Sequence, residues 1–465
     1  MLDNSTLSVE REAARGSGGV VLPLHVLLLI ATLAATVVAQ GGYHLAGRAL
    51  SAALVGLALL VALRTRQWSG STTPVLLACF GLAAWAVARA AANGAAGTAG
   101  PVVLSVICLA GALLVAQRAD ARQRELCAQA VAGIGVLVAL TCWLGVAGRI
   151  PGWTMVADGL VRAGSTLTYP NATAALLASL AVLALSLQRS RPRSLPHAGG
   201  TYLLLVGLGA TLSRAGLLAL LVGLVVLSVL AGPRPTARHL AAPGLGALVA
   251  MAALAPSIPV TAPSRPVLAG LGLIAGLVIT IGLTQLRGRV RIIAALVGVA
   301  LAATAGTVLA SSSETLQSLA DGRVSLSSPD RDGAMHAALE LVAAKLTAGV
   351  GPGRAWFAFA APTGEQRVMR YVHNEYLQVL VELGLIGLVL LVCLLVAVAV
   401  TVWRGRRESA LWAGSGAALT ALIVHSGFDF LWHIPAILLT AGLLIGLAGP
   451  ATDSRQQAPQ VEGKS

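Results

Sequence analysis

Charge is scarce in this chain of 465 residues. Only 11% of them are Asp, Glu, Lys or Arg, against roughly 25% in soluble globular proteins, and 57% are hydrophobic. That balance excludes a disordered protein, a disulfide-stapled secreted domain and an ordinary cytosolic enzyme. Aromatic residues are also few, at 4%. The five cysteines (Cys79, Cys108, Cys127, Cys142 and Cys393) all fall in or beside apolar runs, and none pairs at metal-ligand spacing. They read as small core or lipid-facing residues. No internal repeat is visible, and the only low-complexity stretch is the polar tail after Pro450.

The formal net charge of +14 rests on arginine, which greatly outnumbers lysine. These arginines sit in short hydrophilic breaks between apolar runs rather than on one surface, so nucleic acid is not an expected partner. The composition that remains is that of a polytopic membrane protein. Glu10, Arg11, Glu12 and Arg15 precede an apolar run of spanning length from Val20 to Gln40, too long for a cleaved signal.

A spanning helix needs about 20 mostly apolar residues. Breaks at Gly, Pro, Arg and polar clusters mark fourteen candidate spans, near 20–40, 45–63, 74–92, 100–117, 127–147, 170–187, 199–213, 215–231, 240–256, 266–286, 291–310, 377–403, 410–430 and 433–448. With the N-terminus inside, the short inside loops carry sixteen arginines and the short outside segments six, which places both termini inside. The expected fold is an all-α polytopic membrane bundle of about 12–14 transmembrane helices with one long external loop. Its divisions are a cytoplasmic tail 1–19, helices 1–11 over 20–310, the loop 311–376, helices 12–14 over 377–448, and a disordered cytoplasmic tail 449–465.

The loop 311–376 reads as ordered and functional. Met335, Leu339, Val342 and Leu346 recur at helical spacing, so 332–346 reads as an amphipathic helix near the membrane surface. A second helix is predicted after Pro362, running into the next span. On it Arg367, Arg370 and Asn374 would share a face, as would Arg370, His373 and Leu377.

Several residues could do chemistry. Arg214 interrupts the apolar stretch Tyr202–Leu230, which reads either as a snorkelling turn residue or as an anion site. The long loop adds Arg323, Arg331, Lys345, Arg354, Arg367 and Arg370. His373, beside arginines at the outer interface, is either structural or a usable base. Residues 349–353 (GVGPG) form either a plain turn or a nest for phosphate oxygens around Gly351 and Gly353, without the Lys–Ser/Thr ending of a nucleotide loop. Asp330 and Asp332 form a D-x-D pair that could hold a divalent cation, or a salt-bridged cap around Arg331. His425, Asp429 and His433 recur at every fourth position, as a helix-end cluster or a zinc site.

Arg331, GVGPGRAWF (349–357) and VHNEYLQVLVELGLIG (372–387), preceded by the Ser213–Arg214–Ala–Gly turn and by Tyr169–Pro170–Asn171, together resemble the O-antigen ligase and O-antigen polymerase superfamily. The resemblance runs from about residue 169 to 435. It implies a GT-C type glycosyltransferase of the bacterial cytoplasmic membrane, independent of metal and without a cofactor. Such an enzyme moves a glycan from undecaprenyl diphosphate to an acceptor hydroxyl on a glycan, lipid or protein. By motif, His373 corresponds to the essential histidine and Arg214 and Arg331 to the essential arginines, with Arg323 as the rival of Arg331. Arg370, Arg367, Asn374, Arg323, Gly351, Gly353 and Asn171 are the expected substrate-binding residues. Fourteen spans exceed the family's usual dozen.

Elementary chemistry points the same way. A diphosphate leaves well once its growing charge is neutralised, which arginine forks do, and an attacking hydroxyl needs one neutral histidine. A lipid-linked glycan transporter is the alternative of another class. Its signature would be several charges deep in the helices and an internal repeat.

Overall fold

The computed structural model describes residues 22–64, 72–286, 289–290, 292–294, 296–298, 329–361 and 364–450. The N-terminal tail, nearly all of the C-terminal tail, most of the span expected at 291–310, and Arg323 lie outside the described residues.

The chain is an all-α polytopic membrane bundle. Its helices are α1 Leu24–Val38, α2 Leu45–Leu63, α3 Thr73–Ala92, α4 Gly100–Gln117, α5 Ala121–Gly148, α6 Pro170–Ser190, α7 Leu195–Ala210, α8 Arg214–Ala231, α9 Pro233–Leu254, α10 Pro266–Gln285, α11 Pro329–Ala344, α12 Glu375–Gly405, α13 Trp412–Ser426 and α14 Pro435–Ala448. Two short hairpins complete it: β1 Thr154–Ala157 with β2 Leu160–Ala163, and β3 Phe357–Ala360 with β4 Gln366–Met369. Among the described residues, nine helices are long and apolar enough to cross a membrane.

Helix α6 is the axis of the bundle. Its apolar window is wholly buried, because small and aliphatic residues surround it on all sides and leave no polar face to turn outward. Lipid is as apolar as leucine, so helices in a membrane associate through close backbone approach rather than water exclusion. Helix α14 uses this device. Gly442 and Gly446, four apart, lie against the carbonyl oxygens of Leu109 and Leu113 on α4, where a methyl group at either glycine would overlap the facing helix. Gly246 and Gly276 bring α9 and α10 together in the same way.

Helix α12 is broken one-third of the way along. Gly384 has φ 68° and ψ −169°, a conformation open only to glycine. The freed backbone groups are met by protein. Val350 N donates to Val381 O (2.9 Å), Leu385 N to Leu346 O (2.8 Å), and the Trp85 indole to Leu383 O (2.8 Å). Irregular backbone at membrane depth is tolerated only where neighbours satisfy it in this way.

Polar contacts sort the connections into two ends. At the long-loop end, Asn93 Nδ2 donates to Val350 O (3.2 Å), Arg149 to Pro259 O (2.7 Å), and Arg162 Nε to Thr211 O (3.1 Å). At the opposite end, Thr72 donates to Gln117 (2.9 Å), Arg124 to Gly449 O (2.7 Å), and Arg189 to Ala231 O (2.8 Å).

One expectation for the long loop is corrected. The residues after Pro362 form no helix there. They close the β3–β4 hairpin, in which Phe357 pairs with Met369, and Gly364 (φ 83°) makes the turn. The side chains of 366–369 therefore alternate between the hairpin's two faces, and Arg367, Arg370 and Asn374 share no helical face. Helix α11 forms over Pro329–Ala344, and its small-residue side is the one that docks on the protein. Ala334 and Ala338 pack against Phe357, with Val372 and Val381 beside them, and Gly333 leaves room for the Phe359 ring. The bulky residues of the expected stripe turn outward, Met335 to 41% and Leu339 to 52% exposure. The hairpin's phenylalanines need small partners, so the small-residue face is the one that docks.

Leucine at Gly442 should lower the thermal midpoint in detergent, at a cost of at least about 1–3 kcal/mol for forced overpacking. Leucine at Gly56, which has open space beside it, should not. Equal midpoints would show that the α4–α14 approach does not hold the bundle.

Candidate functional site

A buried carboxylate organises the long-loop end. Asp429 follows α13, which stops at Ser426, and its side chain is fully buried. Four donors converge on it. His373 Nδ1 lies 3.0 Å from Oδ1, the Tyr169 hydroxyl donates to both oxygens (2.8 and 2.7 Å), Asn171 Nδ2 donates to Oδ2, and Phe430 N donates to Oδ1 (2.8 Å). Arg331 Nη2 stands 3.9 Å from Oδ2. Burial alone would raise the acid's pKa. The hydrogen bond from His373, with Arg331 and the Tyr169 hydroxyl, outweighs it and holds the carboxyl below the usual carboxylate range. Burial and the adjacent carboxylate push the Tyr169 phenol well above its usual range, so it stays a donor.

This arrangement fixes the histidine. An ionised Asp429 can only accept, so Nδ1 of His373 carries the proton and Nε2 presents its lone pair. His373 sits in left-handed backbone (φ 55°), which is strained for a side chain of this size. Asn374, immediately after it, caps α12 by accepting from Tyr376 N and Leu377 N (3.0 and 3.1 Å). His373 is 16% exposed and Arg331 35%. The pair therefore borders open space, while the acid behind them does not.

The remaining expected residues separate into those near this centre and those elsewhere. Asn171 bonds Asp429 and also accepts from Arg162 Nη2 (3.0 Å). Arg162 in turn holds the carbonyl of Thr211, beside the Ser213–Arg214 turn. Ser213 caps α8 by accepting from Gly216 N (3.1 Å), and Gly216 packs on Ala174, one turn inside Asn171. Arg214 is thus an exposed residue at the start of a helix that abuts the start of α6. Arg370 lies over the rings of Trp356 and Tyr371 (6.0 and 5.7 Å) at the rim.

Arg367 is directed away from the centre. Its fork pairs with Asp330 (2.6 Å) and Glu365 (3.4 Å). Asp330 is therefore held by an arginine, and among the described residues no three His, Cys, Asp or Glu side chains gather as a metal-ligand group. Gly351 and Gly353 do form a positive-φ turn, but its donors face the protein. Gly353 N donates to the Glu382 carboxylate (2.9 Å) and Gly351 N to Glu382 O (2.9 Å). The turn locks the loop to α12 rather than presenting a nest.

The expectation for HSGFDFLWH also changes. Its helix ends at Ser426, so the three residues part company. Asp429 turns to His373, His433 Nδ1 lies 3.4 Å from Glu375, and His425 is buried in α13. Asp429 as the partner of His373, and Tyr169 and Arg162 as its supports, are the site residues the sequence reading missed. The signal was present in Gly427 and Pro435, which bracket a break, and in an acid placed within an otherwise acid-poor segment.

The fold and this centre define a multi-pass membrane protein with an acid–histidine pair bordered by arginine at one end of the bundle. Residues 250–392 match the family described as O-antigen ligase, so the chain carries a domain of the O-antigen ligase and polymerase superfamily over that stretch. The match includes Arg331, the GVGPG turn and His373, and stops short of Asn171, Arg214 and Asp429. It supports an enzyme of ligase or polymerase type. No curated protein matches the chain.

The depressed pKa of Asp429 has a consequence for stability. A carboxyl held below its unfolded value contributes stability in full above about pH 5, and loses it as pH falls through the folded value. The gap in thermal midpoint between the native chain and Asp429→Asn should therefore narrow from about pH 5 towards pH 2. A gap that widens on acidification would contradict the assigned ionisation.

Proposed function

We propose that the chain is an O-antigen ligase-like glycosyltransferase. It takes a glycan from undecaprenyl diphosphate on the outer face of the bacterial cytoplasmic membrane and transfers it to an acceptor hydroxyl. The observation that carries this reading is the hydrogen bond from His373 Nδ1 to an ionised, buried Asp429 (3.0 Å), with Arg331 3.9 Å from the same carboxylate. A histidine so oriented presents Nε2 as a general base, the role an attacking alcohol requires.

In the proposed step the acceptor oxygen attacks the anomeric carbon as its proton passes to Nε2 of His373. The carbon–oxygen bond to the diphosphate breaks, and the electron pair leaves on undecaprenyl diphosphate. Asp429 stays ionised and stabilises the imidazolium that forms, as the buried acid does in hydrolase triads. Arg331, with Arg214 at the neighbouring helix start, neutralises the charge that grows on the leaving oxygens. Direct displacement inverts the anomeric centre, and the carboxylate nearest His373 is engaged by four donors rather than poised as a nucleophile. Ligase and polymerase differ only in the acceptor that brings the hydroxyl.

Transfer of a glycan from polyprenyl diphosphate by the purified chain tests the reading directly; a flippase would move the lipid and transfer nothing. His373→Ala should abolish turnover with expression and elution unchanged, and retained turnover would remove the base assignment. Asp429→Asn should lower kcat by about 10²–10⁴ through loss of the tautomer. Arg331→Lys and Arg214→Lys should each cost at least about tenfold, because a point charge does not replace the fork; full activity in Arg214→Lys would return that residue to a snorkelling role. Chelator should leave the rate unchanged, and a metal requirement would bring Asp330 and Asp332 back into consideration.

A further inference from the structure

The end of the bundle opposite the long loop carries a basic depression. It lies between the C-terminal ends of α6, α8 and α12 and the start of α13. It holds about 470 Å³, where one water-sized group needs about 10–15 Å³. Arg189, Arg406 and Arg407 line it, together with Trp412. Glu408 is the single acid among the lining residues, and its charge also reaches Arg124.

Most of the donor capacity here is unspent. Arg189 Nη2 donates to Ala231 O (2.8 Å), which ties α6 to α8, and its Nε has no protein partner among the described residues. Arg406 Nη1 donates to Trp403 O (2.8 Å), and its guanidinium stands 4.2 Å from the centre of the Trp403 ring. That contact holds the fork in place without neutralising it. Arg407 is exposed. The Ser409 hydroxyl, by contrast, is used within the protein, donating to Leu447 O (2.7 Å). Three guanidinium groups against one carboxylate leave an excess of positive charge that suits a phosphate.

The surroundings are those of a lipid. Trp403 is 56% exposed and meets Trp412 edge-on at 6.5 Å. Tryptophans collect where head groups meet hydrocarbon. Towards the membrane interior, Val225 and Val229 of α8 and Val392 and Val396 of α12 are each at least half exposed. The surface leading away from the arginines is therefore one for acyl chains. A second depression at the same end makes the contrast. It holds Arg191, Arg193 and Arg238, but Glu125 lies 3.4 Å from Arg191 and no aromatic residue lines it.

We propose that the depression at Arg189, Arg406 and Arg407 seats an anionic glycerophospholipid. Its phosphate rests on the three guanidinium groups and its acyl chains lie against α8 and α12. A zwitterionic head would bring a cationic amine among the arginines, so the site discriminates against phosphatidylcholine. Three of the helices that meet here, α6, α12 and α13, lead at their opposite ends to Asn171, the His373–Asn374 cap and Asp429. A lipid bound here clamps the bundle behind the acid–histidine centre. The binding does not rest on the transferase reading.

The test uses the full chain in detergent. Native mass spectra should show phosphatidylglycerol retained about tenfold more than phosphatidylcholine. A phosphatidylglycerol made photoreactive near its head group should label residues 225–231 and 396–412 of the unaltered chain. Arg189→Gln, and Arg406→Gln combined with Arg407→Gln, should each weaken retention by about fivefold or more, whereas Arg193→Gln in the second depression should change it by less than about twofold. Phosphatidylglycerol should raise the thermal midpoint of the native chain more than that of the double variant. Equal retention of the two lipids, labelling elsewhere, or an equal loss in Arg193→Gln would overturn the proposal. So would displacement of the lipid by glycerol phosphate, which would make this a site for a soluble anion. Selectivity and labelling are read on the unaltered chain, so they decide the question even where a variant fails to fold.

Discussion

One buried carboxylate holds the long-loop end of the bundle together. Asp429 gathers donors from the segment before α6, the first turn of α6 and the residue before the α12 cap, with Arg331 of α11 nearby. A buried charge is costly unless paired and hydrogen-bonded, so each donor lowers the cost of having the others there. The same bonds fix which nitrogen of His373 is protonated. Stability and proton chemistry therefore depend on one atom group, and a change made for one reaches the other.

The second constraint is the membrane. With no water at depth, every irregular stretch of backbone needs a protein partner. The break in α12 meets this by taking the 346–353 segment as its hydrogen-bond complement, and Arg89 reinforces the joint by donating to the carbonyls of Ala348 and Gly349 (2.8 and 3.0 Å). The glycines of GVGPG answer that demand. Their resemblance to a phosphate nest is a by-product of the tight turn they make.

Hydropathy was enough to read the bundle, because span length is a property of single segments. The Ser213–Arg214 break was legible for the same reason. The hairpin 357–369 was not, since its alternation is short and its turn residues sit beside a proline that also starts helices well. The docking face of α11 was not legible, because periodicity reports where bulky residues recur, and here the partner surface selects the alanines. Asp429 could be placed in a cluster with its neighbours, but its partner is 56 positions earlier in the chain. Spacing cannot reveal such a pairing, whereas a motif such as HNEYLQ could still single out the histidine itself.

The interlock of Gly349 with the break at Gly384 bears on how large molecules reach the centre. Neither glycine has room for another atom against the other segment, and the strands of backbone between them share hydrogen bonds. The 346–353 segment therefore cannot swing aside as a hinged cover without undoing the break in α12. On the transferase reading, lipid-anchored reactants that cannot lift this segment would enter sideways, between helices from the bilayer plane, so the seams between helices rather than a moving flap would set the rate of passage.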